Sequence, residues 1–414
     1  MRRTYDVVIV GAGVAGATAG LLFAQRGLST LVVDKKQNGS HHKALCTHFV
    51  QPAARPVLRK LAIERDIERA GGVPTKAAFW TSSGWIWPDG DYAIAGSDGS
   101  LLAYNIERRI LDPLLTRRLE RAAGVTVELA QTVRSPNRLQ DGSWMLVLEN
   151  ATGGIREIGG RFLVAADGRT SPVAAALGNE LIMKKENQRT CLFGYFENVK
   201  APVENRSLFL LGAQEMAFLY PLGRDRALLA AYVPKTSRIV GDEESKTNAL
   251  KSIFAQFPDL PDLSSARLAS RLYGYSDYPN LARKPVHNGV AYIGDAALSL
   301  DPMSGVGCAF AMLMADMLVE SVAPTIATQP DRLDAALLEY VARFNKFFPA
   351  HASGIAADSI IVKSAATTDS VYRRITRNTY LQRLFIALTG RIIQPEEFQK
   401  AYLSIGLAQN RRSA

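Results

Sequence analysis

Asp6-Val7-Val8-Ile9-Val10 runs directly into Gly11-Ala12-Gly13-Val14-Ala15-Gly16, and Leu31-Val32-Val33-Asp34 follows. This reads as an apolar strand, a glycine-rich turn, a helix, and a second strand ending in an acid. Gly11 permits the tight turn, Gly13 lets the backbone approach a pyrophosphate, and Gly16 lets the helix pack close to the strand. The helix N-terminus offers free N–H groups and partial positive charge to phosphates. Asp34 stands where a carboxylate can accept a hydrogen bond from a ribose hydroxyl. A lone glycine triplet is a weak sign, but one framed by strand, helix and spaced acid specifies a dinucleotide site.

The chain has 414 residues, room for two domains or one composite one. With 47% hydrophobic and 21% charged residues it reads as soluble and globular. No apolar run reaches the roughly 18 residues that suggest a membrane-spanning helix. The two N-terminal arginines precede only a short strand, so no signal peptide is read and a cytoplasmic setting is expected. Cys46, Cys191 and Cys308 form no CxxC pair, which implies neither a disulfide framework nor a zinc knuckle. His41, His42, Cys46 and His48 crowd together without a ligand spacing, so no metal is expected there.

The net charge of +10 is uneven, because residues 371–414 carry eight basic and two acidic residues. No nucleic-acid motif accompanies this tail, and a DNA or RNA partner is not expected. Leu381, Leu384, Phe385 and Leu388 recur at helical spacing beside the charges. The pattern fits packing onto the body, a lid over a pocket, or docking to an acidic carrier protein or anionic membrane surface.

Along the chain, nucleotide-domain segments alternate with β-rich excursions. The expected division is 1–74, 105–175 and 286–330 for the nucleotide domain. Residues 75–104 and 176–285 form a β-rich substrate domain, and 331–414 a helical C-terminal segment. Arg55 to Glu68 reads as one helix, residues 105–123 as another, and 125–129, 144–148 and 162–166 as strands.

Two further motifs follow. Phe162-Leu163-Val164-Ala165-Ala166-Asp167-Gly168-Arg169-Thr170-Ser171 is a buried strand ending in Asp-Gly. Val290-Ala291-Tyr292-Ile293-Gly294-Asp295 ends another strand in Gly-Asp, and Asp301-Pro302-Met303-Ser304-Gly305-Val306-Gly307-Cys308 feeds a helix of small and apolar residues. An acid at a strand's end suits a ribityl or ribose hydroxyl. A glycine loop before a helix N-terminus suits the developing negative charge of a reduced flavin.

With these three motifs in order, residues 4–325 resemble the FAD-dependent monooxygenases built like the aromatic hydroxylases. The resemblance implies an α/β fold, with a Rossmann-like FAD-binding domain interleaved with a β-sheet-rich substrate domain and a helical C-terminal segment. It implies non-covalent FAD, with Gly11, Gly13, Ala15, Gly16, Asp34 and Lys35 around the ADP half. Arg108, from an Arg-x-x-Leu-Asp match at 108–112, approaches the cofactor. Asp167 and Gly168 serve FAD and passing NAD(P)H, Gly294 and Asp295 the ribityl chain, and Pro302, Gly305, Val306 and Gly307 the isoalloxazine. The single glycine turn matches a family in which NAD(P)H is a transient reductant. The implied reaction is hydroxylation or epoxidation of an apolar or aromatic small molecule through a flavin C4a-hydroperoxide.

Leu298 and Cys308 depart from the aromatic hydroxylases, which have His and Asn there. The 301–305 loop looks closer to flavin-dependent halogenases and geranylgeranyl reductases. Reduction or dehydrogenation of a lipophilic, isoprenoid-like substrate is therefore the alternative. Halogenation ranks lower, because Trp85-Ile86-Trp87-Pro88 lacks the halogenase spacing and lies too early. A non-enzymatic flavin-binding protein is the remaining reading. No catalytic triad or carboxylate pair is found, and His48 and Tyr220 are weak catalytic candidates. Thr47, Trp85, Phe218 and Tyr220 are candidate substrate-pocket residues, since small-molecule pockets need apolar walls with a few polar groups.

Overall fold

The computed structural model describes residues 4–90, 92, 101–200, 202–212, 214–237, 239–360 and 365–413. Thr4–Val10 forms the central strand of an eight-stranded sheet, and Val7, Val8 and Ile9 are fully buried in it. An apolar strand covered on both faces is what a parallel sheet requires. Thr30–Val33 and Ile155–Ala165 flank it in parallel, with Val125–Glu128 beyond the first and Val290–Tyr292 beyond the second. Val10 pairs with both Val33 and Ala165, and Ala165 with Tyr292. The register therefore ends these strands at one edge, placing the glycine turn, Asp34, Asp167 and Asp295 side by side. The antiparallel strands Gln131–Arg138 and Trp144–Asn150 extend the sheet; the first of these is not anticipated from sequence.

The helix Val14–Gln25 is buried from Val14 to Phe23 and packs against Gly307–Thr328. Contrary to the sequence expectation, the stretch Gly307–Ile326 is long and apolar enough to cross a membrane by composition. In the fold it is a core helix, two-thirds buried, between Val14–Gln25 and Leu333–Ile360. The expected helix from Arg55 to Glu68 is instead two, Arg55–Lys60 and Glu64–Arg69, parted at Ala62 by a backbone φ of +52°. That left-handed conformation cannot continue a helix.

A second eight-stranded sheet runs through Arg189–Glu197, Arg226–Pro234, Met216–Pro221, Ser207–Leu211, Ala77–Thr81 and Gly84–Ile86. Side chains alternate between its faces. Phe79, Phe193, Phe209, Phe218, Tyr220 and Tyr232 share one cluster, which also holds Phe49 and Met303. Leu208, Leu219 and Leu229 share the other, with Phe254 of the helix Glu243–Phe254.

The C-terminal segment serves both layers. Leu333–Ile360 joins the nucleotide-domain core, where the Tyr340 hydroxyl donates to the Tyr292 carbonyl at 3.2 Å. The helices Ala365–Thr376, Thr379–Thr389 and Pro395–Ser413 cover the aromatic face of the second sheet. Ile375, Leu381 and Ile386 are buried there, and the Phe385 ring meets Phe79 edge-on at 5.1 Å. Leu381→Ala should therefore cost about 2–4 kcal/mol of stability, the usual range for a buried leucine truncated without collapse. Denaturant unfolding checks this, and a change under about 0.5 kcal/mol, the scale of surface substitutions, would contradict the packing role.

Candidate functional site

A cleft enclosing about 1700 Å³, part of it open to solvent, lies along the shared strand edge. Its floor is the glycine turn. Gly11 has φ +106°, and a Cβ there would sit 2.2 Å from the Ala166 carbonyl oxygen; one on Gly16 would meet the Gly11 oxygen. Gly13, Gly168 and Gly307 would meet nothing within 4 Å, so their bare backbone faces open space. Two helices begin at this cleft, at Val14 and at Gly307, and helix N-termini carry N–H groups without intrahelical partners.

The acids hold distinct stations. The Asp34 carboxylate accepts the Ala12 N–H at 2.5 Å and the Lys36 N–H at 2.8 Å, which locks the turn to the end of the second strand. Lys35 and Ala15 line the cleft, while Lys36 is buried and donates to the Ala12 carbonyl and Thr116 hydroxyl. Asp167 accepts from Ser171 Oγ at 2.7 Å and the Val173 N–H at 2.9 Å, ordering the start of the helix Pro172–Leu177; burial pushes its pKa up. Gly294 has φ +60° and its Cβ position lies 2.8 Å from Ala15, so this turn abuts the first helix. Asp295 pairs with Lys43 Nζ at 2.8 Å. Burial is the largest influence and disfavours the Asp295 charge, but Lys43, Arg108 and Arg169 together outweigh it and hold the carboxyl below its ordinary range.

Beyond Asp295, the Asp301 carboxylate accepts the Met303 N–H at 3.1 Å and the Tyr275 hydroxyl at 3.2 Å, while its Oδ2 has no protein partner. Burial pushes this carboxyl up to about 6. Pro302 and Gly305 line the cleft, whereas Val306 is buried beneath the loop and does not.

Arg108 is buried in the opposite wall, gripping Asp112 at 2.5 and 2.9 Å. Its backbone N–H donates to His48 Nδ1 at 2.7 Å. The other ring nitrogen, Nε2, contacts the Tyr195 hydroxyl. With Nδ1 accepting, the proton must sit on Nε2, and the neutral ring is fixed. Burial drives the His48 pKa well down. His48 is thus a buried brace between Arg108 and Tyr195.

Thr47 and Phe49 line the cleft. Phe49 also stacks obliquely on Tyr220 at 5.2 Å and meets Phe209 edge-on at 5.5 Å, linking the cleft to the aromatic cluster. Phe218 and Tyr220 are on this face but packed within it, and the Tyr220 hydroxyl has no protein partner. Trp85 does not join them. It packs on the opposite cluster, against Trp87 at 5.7 Å, with its Nε1 3.4 Å from Asp259. Sequence reading also missed Lys43, Tyr278 and Gln131–Val133 in the cleft wall. Asp112, the last residue of the quoted Arg-x-x-Leu-Asp stretch, was available to it.

These residues fit a flavin dinucleotide: bare glycine backbone and helix N-termini for phosphates, and acids at successive strand ends for hydroxyls. A family model described as FAD binding domain matches residues 4–344. The chain belongs to this family. It is an FAD-dependent oxidoreductase. A digeranylgeranylglycerophospholipid reductase of Methanopyrus kandleri is 26% identical, over 83% of this chain and 87% of that protein. A tryptophan 2-halogenase of Chondromyces crocatus is 23% identical, over 80% of this chain and 63% of that protein. The p-nitrophenol 4-monooxygenase of Pseudomonas putida shares the fold with a TM-score of 0.78 and 16% identity, covering 95% of this chain and all of that one.

Two outcomes follow. Asp295→Asn should raise the FAD dissociation constant by on the order of tenfold to a hundredfold, the worth of one hydrogen bond to a charged group. Fluorescence titration of apoprotein measures it, and unchanged affinity removes Asp295 from the site. The second concerns Asp301, whose folded pKa is raised above the unfolded value of about 4. Between pH about 4 and 6 the folded chain binds the extra proton, so this group makes stability fall as pH rises. Asp301→Asn should flatten that slope, and an unaltered stability–pH curve would contradict the assignment.

Proposed function

We propose that the chain is an FAD- and NAD(P)H-dependent monooxygenase that hydroxylates or epoxidises an apolar, aromatic small molecule. The observation that carries this reading is the aromatic wall reached through Phe49, with one buried phenol hydroxyl, on Tyr220, left without a protein partner. An apolar wall with few, directed polar groups suits an aromatic ring bearing one polar substituent. It also excludes water, which protects reactive oxygen species from decay. Bound FAD would accept hydride from NAD(P)H and activate oxygen. The chain's own part is to seat the cofactor with the glycine turn, Asp34 and Asp295, and to receive the substrate at the Phe49 wall of the cleft, behind which Tyr220 lies.

A second reading, reduction of a lipophilic, isoprenoid-like substrate, is favoured by the 26% identical reductase relative. NAD(P)H oxidation by the yellow holoprotein, with and without O₂, separates the two. Oxygen-dependent oxidation that releases peroxide in the absence of substrate supports the first. Anaerobic saturation of an alkene with a supplied electron donor, and no oxygenated product, supports the second and overturns the first. In the monooxygenase reading, Tyr220→Phe should lower product formed per NAD(P)H consumed by on the order of tenfold, the value of one buried hydrogen bond, with FAD content unchanged. Unaltered coupling would exclude Tyr220 from substrate contact.

A further inference from the structure

The loop that follows Asp301 is a wall shared by the cleft and the second sheet. Pro302 and Gly305 line the cleft, while Met303 joins the aromatic cluster on the other side. Asp301 is fully buried and ties this loop to two other layers. Its Oδ1 accepts two donors at once, the Met303 N–H at 3.1 Å and the Tyr275 hydroxyl at 3.2 Å. The first belongs to the loop itself, and the second to the strand Tyr273–Tyr275, whose Tyr275 packs against the aromatic cluster. The Asp301 backbone N–H donates to Asn280 Oδ1 at 2.8 Å, and Asn280 Nδ2 donates to Ser359 Oγ of the helix Leu333–Ile360, also at 2.8 Å. The Asp301 carbonyl accepts the Ser304 hydroxyl at 3.0 Å, which closes the loop on itself.

The other carboxylate oxygen, Oδ2, is buried and has no partner among the described residues. Such an oxygen is costly while the group is charged, because nothing replaces its water. A proton on Oδ2 removes that cost but turns Oδ1 into a neutral acceptor, whose hydrogen bonds are roughly half as strong. The carboxylate thus grips the loop and Tyr275 when charged and slackens on both when neutral. Burial pushes this carboxyl up to about 6, so the two forms exchange near neutral pH. Of the groups around it, Arg189 and Arg169 act as cations that favour its charge, and Asp358 acts on Arg189. Tyr275, Tyr232 and Cys191 are pushed up by burial and stay neutral through this range. We propose that Asp301 is a positioning residue for the flavin, its charged carboxylate fixing the 302–305 loop along the cleft and its neutral form letting that loop relax. The inference rests on the FAD site alone and holds for oxygenation and for reduction alike.

The visible absorption of bound FAD reports the loop, in full-length holoprotein whose FAD loading is verified first. From about pH 5 to about 8 the wild-type spectrum should pass through one inflection, near the pH at which Asp301 exchanges its proton. Asp301→Asn keeps the shape and an acceptor oxygen but never gains the charge, so it should hold the low-pH spectrum throughout. Tyr275→Phe removes a donor that favours the charged form, and should move the inflection up by about one pH unit or more, the worth of one hydrogen bond to a charged group. A purely structural role for Asp301 predicts none of these spectral changes. A wild-type spectrum that is flat with pH would overturn the proposal. So would an inflection that survives in Asp301→Asn, or one that stays in place in Tyr275→Phe. If the asparagine variant fails to fold, the wild-type and Tyr275→Phe curves decide. Low FAD loading at every pH would instead count against the cofactor site, which distinguishes the two failures.

Discussion

The parallel register of the nucleotide-domain strands is the constraint on which the site depends. Val10, Val33, Ala165 and Tyr292 lie in register across four adjacent strands. Residues 11, 34, 167 and 295, far apart in the chain, therefore arrive at one edge. Right-handed crossovers cover both faces of such a sheet and leave only this edge for a ligand. The close packing that follows is unforgiving, since a Cβ on Gly11 or Gly16 would collide with backbone.

The second sheet packs beside the cleft through its aromatic face. Its alternation commits one face to aromatic side chains and the other to aliphatic packing under the helix Glu243–Phe254. Phe49 joins the aromatic face to the cleft, and the Asp301–Gly305 loop contributes Met303 to the same cluster. The C-terminal helices close that face from the outside. Cofactor seat, aromatic sheet face and helical cover are thus three packed layers, and Asp301 lies at their junction with one carboxylate oxygen lacking a protein partner.

What could be read from sequence was what is local. The glycine turn, the acids at strand ends and the 301–307 loop are short motifs whose geometry follows from their own residues. What could not be read depends on distant partners. Lys43 reaches Asp295 across 252 positions, and no local pattern announces that pairing. The His48 ring is fixed because its Nδ1 accepts the backbone N–H of Arg108, 60 positions away. The face shown by Trp85 was set by register: in the three-residue strand Gly84–Ile86, Ile86 points to the aromatic cluster and Trp85 must point away. The division of Arg55–Glu68 turned on one left-handed alanine, for which the sequence carries no mark.

The central claim is that the glycine turn at Gly11–Gly16 reads the ADP half of FAD while the 294–307 segment reads the flavin half. Competition binding to apoprotein tests it most directly, with FAD displaced by ADP or by FMN in equilibrium titrations. The account predicts that ADP competes with FAD, and that Gly13→Val abolishes ADP binding by filling open space the pyrophosphate needs. FMN displacement with no effect of ADP would contradict it.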